Sequence, residues 1–165
     1  MTKEGFDLLK NFEGCSLIAY KCPAGEWTIG YGCCYYLDKT KVKEGDEINM
    51  DLANRMLIDN VKDFEKSIHY LLDGLYLPEQ CISALVCFAY NVGITGFAKS
   101  SLLKRIKEDK NNLTAIEKEF KRWIFCKGVK LQGLEKRRQA EYKLYEKGIL
   151  SQYSKSEIFH KCNMK

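Results

Sequence analysis

The sequence predicts an α+β fold, mostly helical. A small β-hairpin lobe and a helical lobe are joined by one long connecting helix, with a cleft between the lobes. Three observations carry this expectation. Residues 12–32, FEGCSLIAYKCPAGEWTIGYG, leave helical spacing for a glycine-punctuated alternation of apolar and polar residues. From about residue 49 onward the apolar spacing is helical in character. The apolar stripe Leu52, Met56, Val61, Phe64, Ile68 and Leu72 is long enough to link the two regimes.

The elements follow in order. A first helix starts after Thr2, whose hydroxyl can cap orphan amides, and buries Phe6, Leu9 and Phe12. Gly14 is its natural stop, so Glu13 falls at the helix C-terminus. Leu17-Ile18-Ala19-Tyr20, Pro23-Ala24-Gly25 and Trp27-Thr28-Ile29-Gly30-Tyr31 read as strand, turn and strand, with a further short strand over 34–37. This is the only β region expected. Asn49 or Asp51 caps the long helix, and Leu77-Pro78 opens the next. That next helix, PEQCISALVCFAYN, is apolar almost all round and belongs at the centre of the helical lobe, closed by Asn91-Val92-Gly93. Shorter helices are expected over 97–109, 114–124 and 135–147.

At 165 residues the chain fits a single domain, 1–165. The β-containing lobe covers about 12–48. The helical lobe covers about 49–147 with helix 2–13 packing on it, and a peripheral tail covers about 148–165. No apolar run approaches the roughly 20 residues that span a bilayer, so stable membrane insertion is not expected. The charged N-terminus reads as neither signal peptide nor anchor. The net charge of +5 is concentrated in residues 118–147, where ten Lys and Arg face four Glu. Such a segment is either a solvated helical face or a surface drawn to a polyanion. Zinc-finger spacings and RNP-type motifs are lacking, which argues against nucleic acid. Eight cysteines without a secretory signal are expected to be thiols, and none forms a CxxC pair, so neither a metal nor an organic cofactor is implied. His69 and His160 lie away from every motif.

The chemistry-bearing set is Glu13, Cys22 and Thr28, spaced E-x8-C-x5-T around the hairpin turn. Glycoside cleavage needs a carboxyl proton donor at the leaving oxygen, and the negative end of a helix dipole suits that role. It also needs a group on the opposite face of the sugar to direct water or meet the developing positive charge. Thr28 can orient a water. Cys22 can be a base only with a depressed pKa, and otherwise an electrostatic group or a filler.

The blocks FEGCSLIAYKCPAGEWTIGYG at 12–32, ALVCFAYNVG at 84–93, F-x2-SSLL at 97–103 and W-x9-GLEKRR-x2-E at 123–141 are the basis of a resemblance. In these blocks, in this order, the chain resembles the phage-type lysozymes, glycoside hydrolase family 24, over roughly residues 4–147. The resemblance implies a two-lobed lysozyme-like fold and an endolysin hydrolysing the β-1,4 bond between N-acetylmuramic acid and N-acetylglucosamine. It makes Glu13 the general acid, puts Cys22 at the family's Asp-or-Cys position, and makes Thr28 the guide of the water. Arg137 or Arg138 would support the site by pairing with Glu13. It implies peptidoglycan strands as substrate and a monomeric enzyme. Such an enzyme would be made in the host bacterial cytoplasm without a signal peptide, then released to the wall through a separate holin. Many members follow GYG with histidine, where this chain has Cys33-Cys34. The alternatives are a lytic transglycosylase giving 1,6-anhydromuramyl ends and a non-catalytic wall-binding module.

Overall fold

A computed structural model describes the backbone of residues 1–162 and the side chains through residue 153. It is α+β and mostly helical. The chain divides into two compact units, Leu9–Phe64 and Met1–Leu8 with Glu65–Lys165.

Helix α1 (Lys3–Glu13) enters the first unit at Leu9 and ends there as expected: Gly14 takes φ +66° and its amide donates to the Lys10 carbonyl at 3.1 Å. Two strands follow, β1 (Ser16–Lys21) and β2 (Trp27–Gly30). They pair antiparallel with Tyr20 opposite Thr28 and Lys21 opposite Trp27. A register shift between Ser16 and Tyr20 lets the exposed strand bend away from strict alternation. A small core forms from Ile29, Cys33, Val42 and Met56, with Trp27, Tyr36, Ile48 and Leu52 packed on it. The short strand expected over 34–37 does not form. Tyr35 makes a single bridge to Lys41, and the chain then doubles back through a tight turn. That turn is held by the Tyr36 amide on the Thr40 carbonyl at 2.9 Å, by the Asp38 carboxylate on the Thr40 amide at 3.0 Å, and by Lys39 at φ +67°. The long helix α2 (Met50–Leu72) opens with Asn49 as its cap, the side chain accepting from the Leu52 amide at 2.8 Å.

In the second unit, α3 (Glu79–Val92) is buried along nearly its whole length, as its apolar circumference predicts. Gly93, at φ +82°, closes it, its amide donating a hydrogen bond to the Ala89 carbonyl. Two glycines let neighbouring helices approach α3. A Cβ at Gly5 would lie 2.6 Å from the Ser83 Cβ, and one at Gly148 would lie 2.6 Å from the Cys81 sulfur. The helix expected over 97–109 is two, α4 (Ile94–Ala98) and α5 (Ser101–Glu108). They are split at Ser100, whose hydroxyl accepts from the Leu103 amide and donates to the Phe97 carbonyl. A serine that bonds both ways is a cap rather than a helix interior residue. Helix α6 (Leu113–Lys121) is capped by Asn112. Phe88 is ringed edge-on by Phe97, Phe120 and Trp123 at centroid distances of 6.1, 5.4 and 5.5 Å.

Two features depart from the purely helical expectation after residue 49. A second hairpin, β3 (Phe125–Cys126) with β4 (Val129–Lys130), turns through Lys127 and Gly128, both at positive φ. Two consecutive positive φ values make the primed turn that matches strand twist. Helix α7 (Gln132–Cys162) runs beyond the expected end at 147, because Gly148 is there for close approach to α3 and not as a stop. Gly148 and Ile149 are buried, whereas the side chains of the last residues of the tail, His160 and Cys162 among them, lie outside the described residues. Among the described residues no helix is long and apolar enough to cross a membrane.

Candidate active site

The hairpin of the first unit brings Cys22 and Thr28 together for a reason visible in its spacing. Strand β1 ends at Lys21, so Cys22 is the first residue of the turn and its place is set by the turn's hydrogen bonds. Thr28 lies opposite Tyr20 on β2. The loop between the strands is tight: the Cys22 amide donates to the Glu26 carbonyl at 3.0 Å, and the Gly25 amide to the Cys22 carbonyl at 2.8 Å. Pro23 enters this turn with its fixed φ, and Gly25 leaves it at φ +87°, a value that glycine adopts without steric cost.

The turn aims backbone amides at the Cys22 sulfur. Hydrogen bonds from the Ala24 and Glu26 amides, with lesser help from the Thr28 side chain and the Gly25 amide, hold the half-buried thiol below its ordinary pKa against the opposing effect of burial. Successive amides converging on one acceptor form a small anion nest. Thr28 is itself only 3% exposed. Its hydroxyl donates to the Glu26 carbonyl at 3.1 Å and lies 3.5 Å from the Cys34 sulfur. One buried hydroxyl therefore touches two thiols.

Glu13 is the last residue of α1 and is half-buried. It is tied to the hairpin set through Tyr20. Partial burial raises the Tyr20 phenol above its ordinary pKa, and so, in turn, do negative charge at Cys22, at Glu13 and at Cys34. All three expected site residues of the hairpin region thus belong to one compact unit and one electrostatic neighbourhood.

Two groups at this site were not anticipated. Tyr20 could have been found from its position on β1, two residues before Cys22. Cys34 had no such signal. It reaches Thr28 only because residues 30–32 form a turn, with Gly30 and Gly32 at positive φ, that returns the chain along β2 so that Cys33 pairs with Ile29. The vicinal cysteines then diverge. Cys33 enters the core, where the Asn60 side-chain amide donates to its sulfur at 3.0 Å, while Cys34 faces Thr28.

Arg137 and Arg138 lie on α7 in the other unit, both buried. Arg137 donates to Glu141 Oε1 at 2.9 Å and to the Cys87 carbonyl at 2.9 Å. Arg138 donates to Glu141 Oε1 and to Asn91 Oδ1, both at 3.0 Å, and its guanidinium lies 4.8 Å over the Phe88 ring. Burial pushes the Glu141 carboxyl up against the opposing pull of Arg138 and then Arg137. The ALVCFAYN segment of α3 and the GLEKRR-x2-E segment of α7 are locked together by these bonds.

The profile of the phage lysozyme family matches residues 10–141 of this chain. The endolysin of Bacillus phage PZA is 36% identical over 167 residues; the match takes in 100% of this chain and 62% of that protein. The chain therefore spans less than two thirds of that relative's length. The endolysin of Acyrthosiphon pisum secondary endosymbiont phage 1 is 31% identical over 150 residues, covering 88% of this chain and 97% of that one. Among solved structures, the muramidase domain of SpmX from Asticaccaulis excentricus superposes with a TM-score of 0.75 at 28% identity, covering 87% of this chain and 95% of that one.

Proposed function

Because the chain belongs to the phage lysozyme family, we propose that it is a glycoside hydrolase of the endolysin type. In this reading it is a muramidase that hydrolyses the β-1,4 bond between N-acetylmuramic acid and N-acetylglucosamine in peptidoglycan. The single observation that carries the reading is the β1–β2 hairpin, which buries Thr28 opposite Tyr20 and turns tightly at Cys22, where backbone amides favour a thiolate. Thr28 and Cys22 together can hold a water and receive its proton, which a threonine alone cannot do at neutral pH.

Each group then has a part. Glu13 gives its proton to the glycosidic oxygen as the bond to the anomeric carbon breaks. A water oriented by Thr28 attacks the opposite face of that carbon, and the Cys22 sulfur accepts the water's proton or faces the developing positive charge. Arg137 and Arg138 have a supporting part, fixing α3 against α7 within their own unit. The enzyme works as a monomer on glycan strands. It reaches the wall through a membrane lesion made by a separate holin, a part of the reading that rests on the family resemblance alone.

A lytic transglycosylase is the second reading, favoured by the single carboxylate in the set; a lysozyme-like module that binds the wall without cutting it is the third. Clearing of purified sacculi tests the catalytic claim. Glu13→Gln removes the proton donor while preserving shape, and its rate is expected to fall by about 10²–10⁴-fold. Equal clearing by the two proteins would remove Glu13 from the mechanism, and absence of clearing by either would favour the binding module.

A further inference from the structure

The hairpin formed by β3 and β4 holds none of the residues given a part above, and its side chains are unusual for a solvent-exposed turn. Phe125 is 58% exposed, Val129 62% and Leu131 42%. Cross-strand partners share a face, so Cys126 and Val129 lie on one side, and Phe125 with Lys130 on the other. Ile124 and Leu131, joined by the Leu131 amide on the Ile124 carbonyl at 2.9 Å, extend the Cys126 and Val129 face. Neither face of the hairpin is covered, and both carry an exposed apolar group.

The charge of the hairpin itself is positive. Residues 124–131 hold Lys127 and Lys130 and no acidic residue, although Lys130 also reaches Glu135 at 2.8 Å. Lys127 sits at the tip itself, at φ +49°, a left-handed conformation that favours glycine or asparagine. The hairpin thus has a cation at its apex, a second on one strand, and exposed apolar side chains on both faces.

We infer that this hairpin is a peripheral membrane-contact element that dips its tip into the interface of an anionic phospholipid bilayer. Three considerations separate this occupant from others. A hydrophilic polyanion such as a teichoic acid would meet the cations but leave Phe125, Val129 and Leu131 in water. A folded protein partner would cover one face of a two-stranded ribbon, not both, and strands of two residues offer far less than the roughly 800 Å² per side of a stable interface. A lipid interface receives apolar groups on every side of an inserted tip, while lysines above it snorkel to the phosphates. The reach is suitable. Three to four residues at about 3.3 Å each extend roughly 10 Å, the depth at which interfacial elements lie. Each lysine near such a surface strengthens binding several-fold, and exposed apolar side chains add to it. The contact is reversible and spans nothing. It does not rest on the glycan-cleaving reading.

The test is co-flotation of the full chain with vesicles of mixed phosphatidylglycerol and phosphatidylcholine, against vesicles of phosphatidylcholine alone. Wild type is expected to float with the anionic vesicles and to stay in solution with the neutral ones. Replacing Phe125, Val129 and Leu131 together by serine is expected to lower partition by about tenfold, and Lys127→Glu by a comparable factor. Both variants should clear purified sacculi at the wild-type rate, which distinguishes loss of membrane contact from loss of the enzyme. Should the triple variant fold poorly, Val129→Ser alone carries the same test with a smaller expected loss. Absence of flotation by wild type would overturn the inference. So would a serine variant that floats like wild type, since binding by charge alone points to a polyanion surface. Retention of wild type on immobilised polyglycerol phosphate, unaffected by the serine changes and with no flotation, would assign the patch to a teichoic acid instead.

Discussion

The sulfur of Cys22 accepts from the amides of Ala24 and Glu26, so ionising it costs less than ionising a thiol in water. If the thiolate is the working form, activity rises as pH passes upward through that lowered pKa and falls on the acid side. An aspartate has an ordinary pKa near 3.9, well below the roughly 8.5 of an ordinary thiol. Cys22→Asp is therefore expected to clear sacculi with its acid limb displaced toward lower pH, by roughly one unit or more. A kcat/KM profile checks this, and an unmoved limb would show that Cys22 does not set it. Cys81 marks the contrast: burial pushes its thiol up to about 12, and its sulfur donates to the Tyr145 carbonyl at 3.2 Å. Most of this was legible at residue scale. The spacing placed Cys22 and Thr28 either side of a hairpin turn, although Cys22 belongs to the turn and not to the strand, and a glycine after Glu13 marked the helix end. Cys34 was not legible, because a turn through two positive-φ glycines decides where its side chain goes, and turn geometry leaves no periodic trace. The buried roles of Arg137 and Arg138 were equally hidden, since a charged pair on a basic helix reads as solvated surface until its carboxylate partner is known.

Among the elements, the helices were legible by spacing and their ends by caps: Thr2, Asn49, Gly14 and Gly93 all act as their chemistry suggests. The failures have physical causes. The β3–β4 hairpin has strands of two residues, too short for any alternation to register. Gly148 read as a terminator because glycine does two jobs, ending helices and admitting neighbours, and only packing tells them apart. Gly148→Ala tests the packing role. Alanine gains about 1 kcal/mol in helix propensity. The new Cβ, however, would sit 2.6 Å from the Cys81 sulfur and 3.0 Å from its backbone nitrogen, where relief requires backbone movement. Overpacking costs about 1–3 kcal/mol, so the variant is expected to melt several degrees lower, and a raised Tm would contradict the close approach. In the loop of the first unit, Asp46 accepts from the Lys43 amide at 2.8 Å and from the Tyr36 hydroxyl at 2.9 Å, and these bonds hold its carboxyl below the ordinary value. A depressed carboxylate stabilises the fold above its unfolded pKa, and that contribution is lost as pH falls through the lower folded value. Asp46→Asn should therefore be less stable than wild type near neutrality, with the gap closing as the pH is lowered below about 4 in urea-unfolding measurements. A gap independent of pH would contradict it.

At the scale of the molecule, the family relationship covers residues 10–141, the β3–β4 hairpin included. The +5 net charge is uneven, and its basic segment divides between two uses. Arg137 and Arg138 are consumed inside the second unit by Glu141, whereas Lys127 and its neighbours remain on the surface. A bulk charge count could not make that division, because it depends on which residues face the core. The central claim concerns the reaction itself: a water, guided by Thr28 and Cys22, completes a cleavage begun by the Glu13 proton. Mass spectrometry of glycan fragments released from purified sacculi tests it most directly. The account expects reducing N-acetylmuramic acid ends that carry one oxygen-18 when digestion is run in labelled water, and no such fragments from Glu13→Gln. Fragments ending in 1,6-anhydromuramic acid, unlabelled by the solvent, would contradict it.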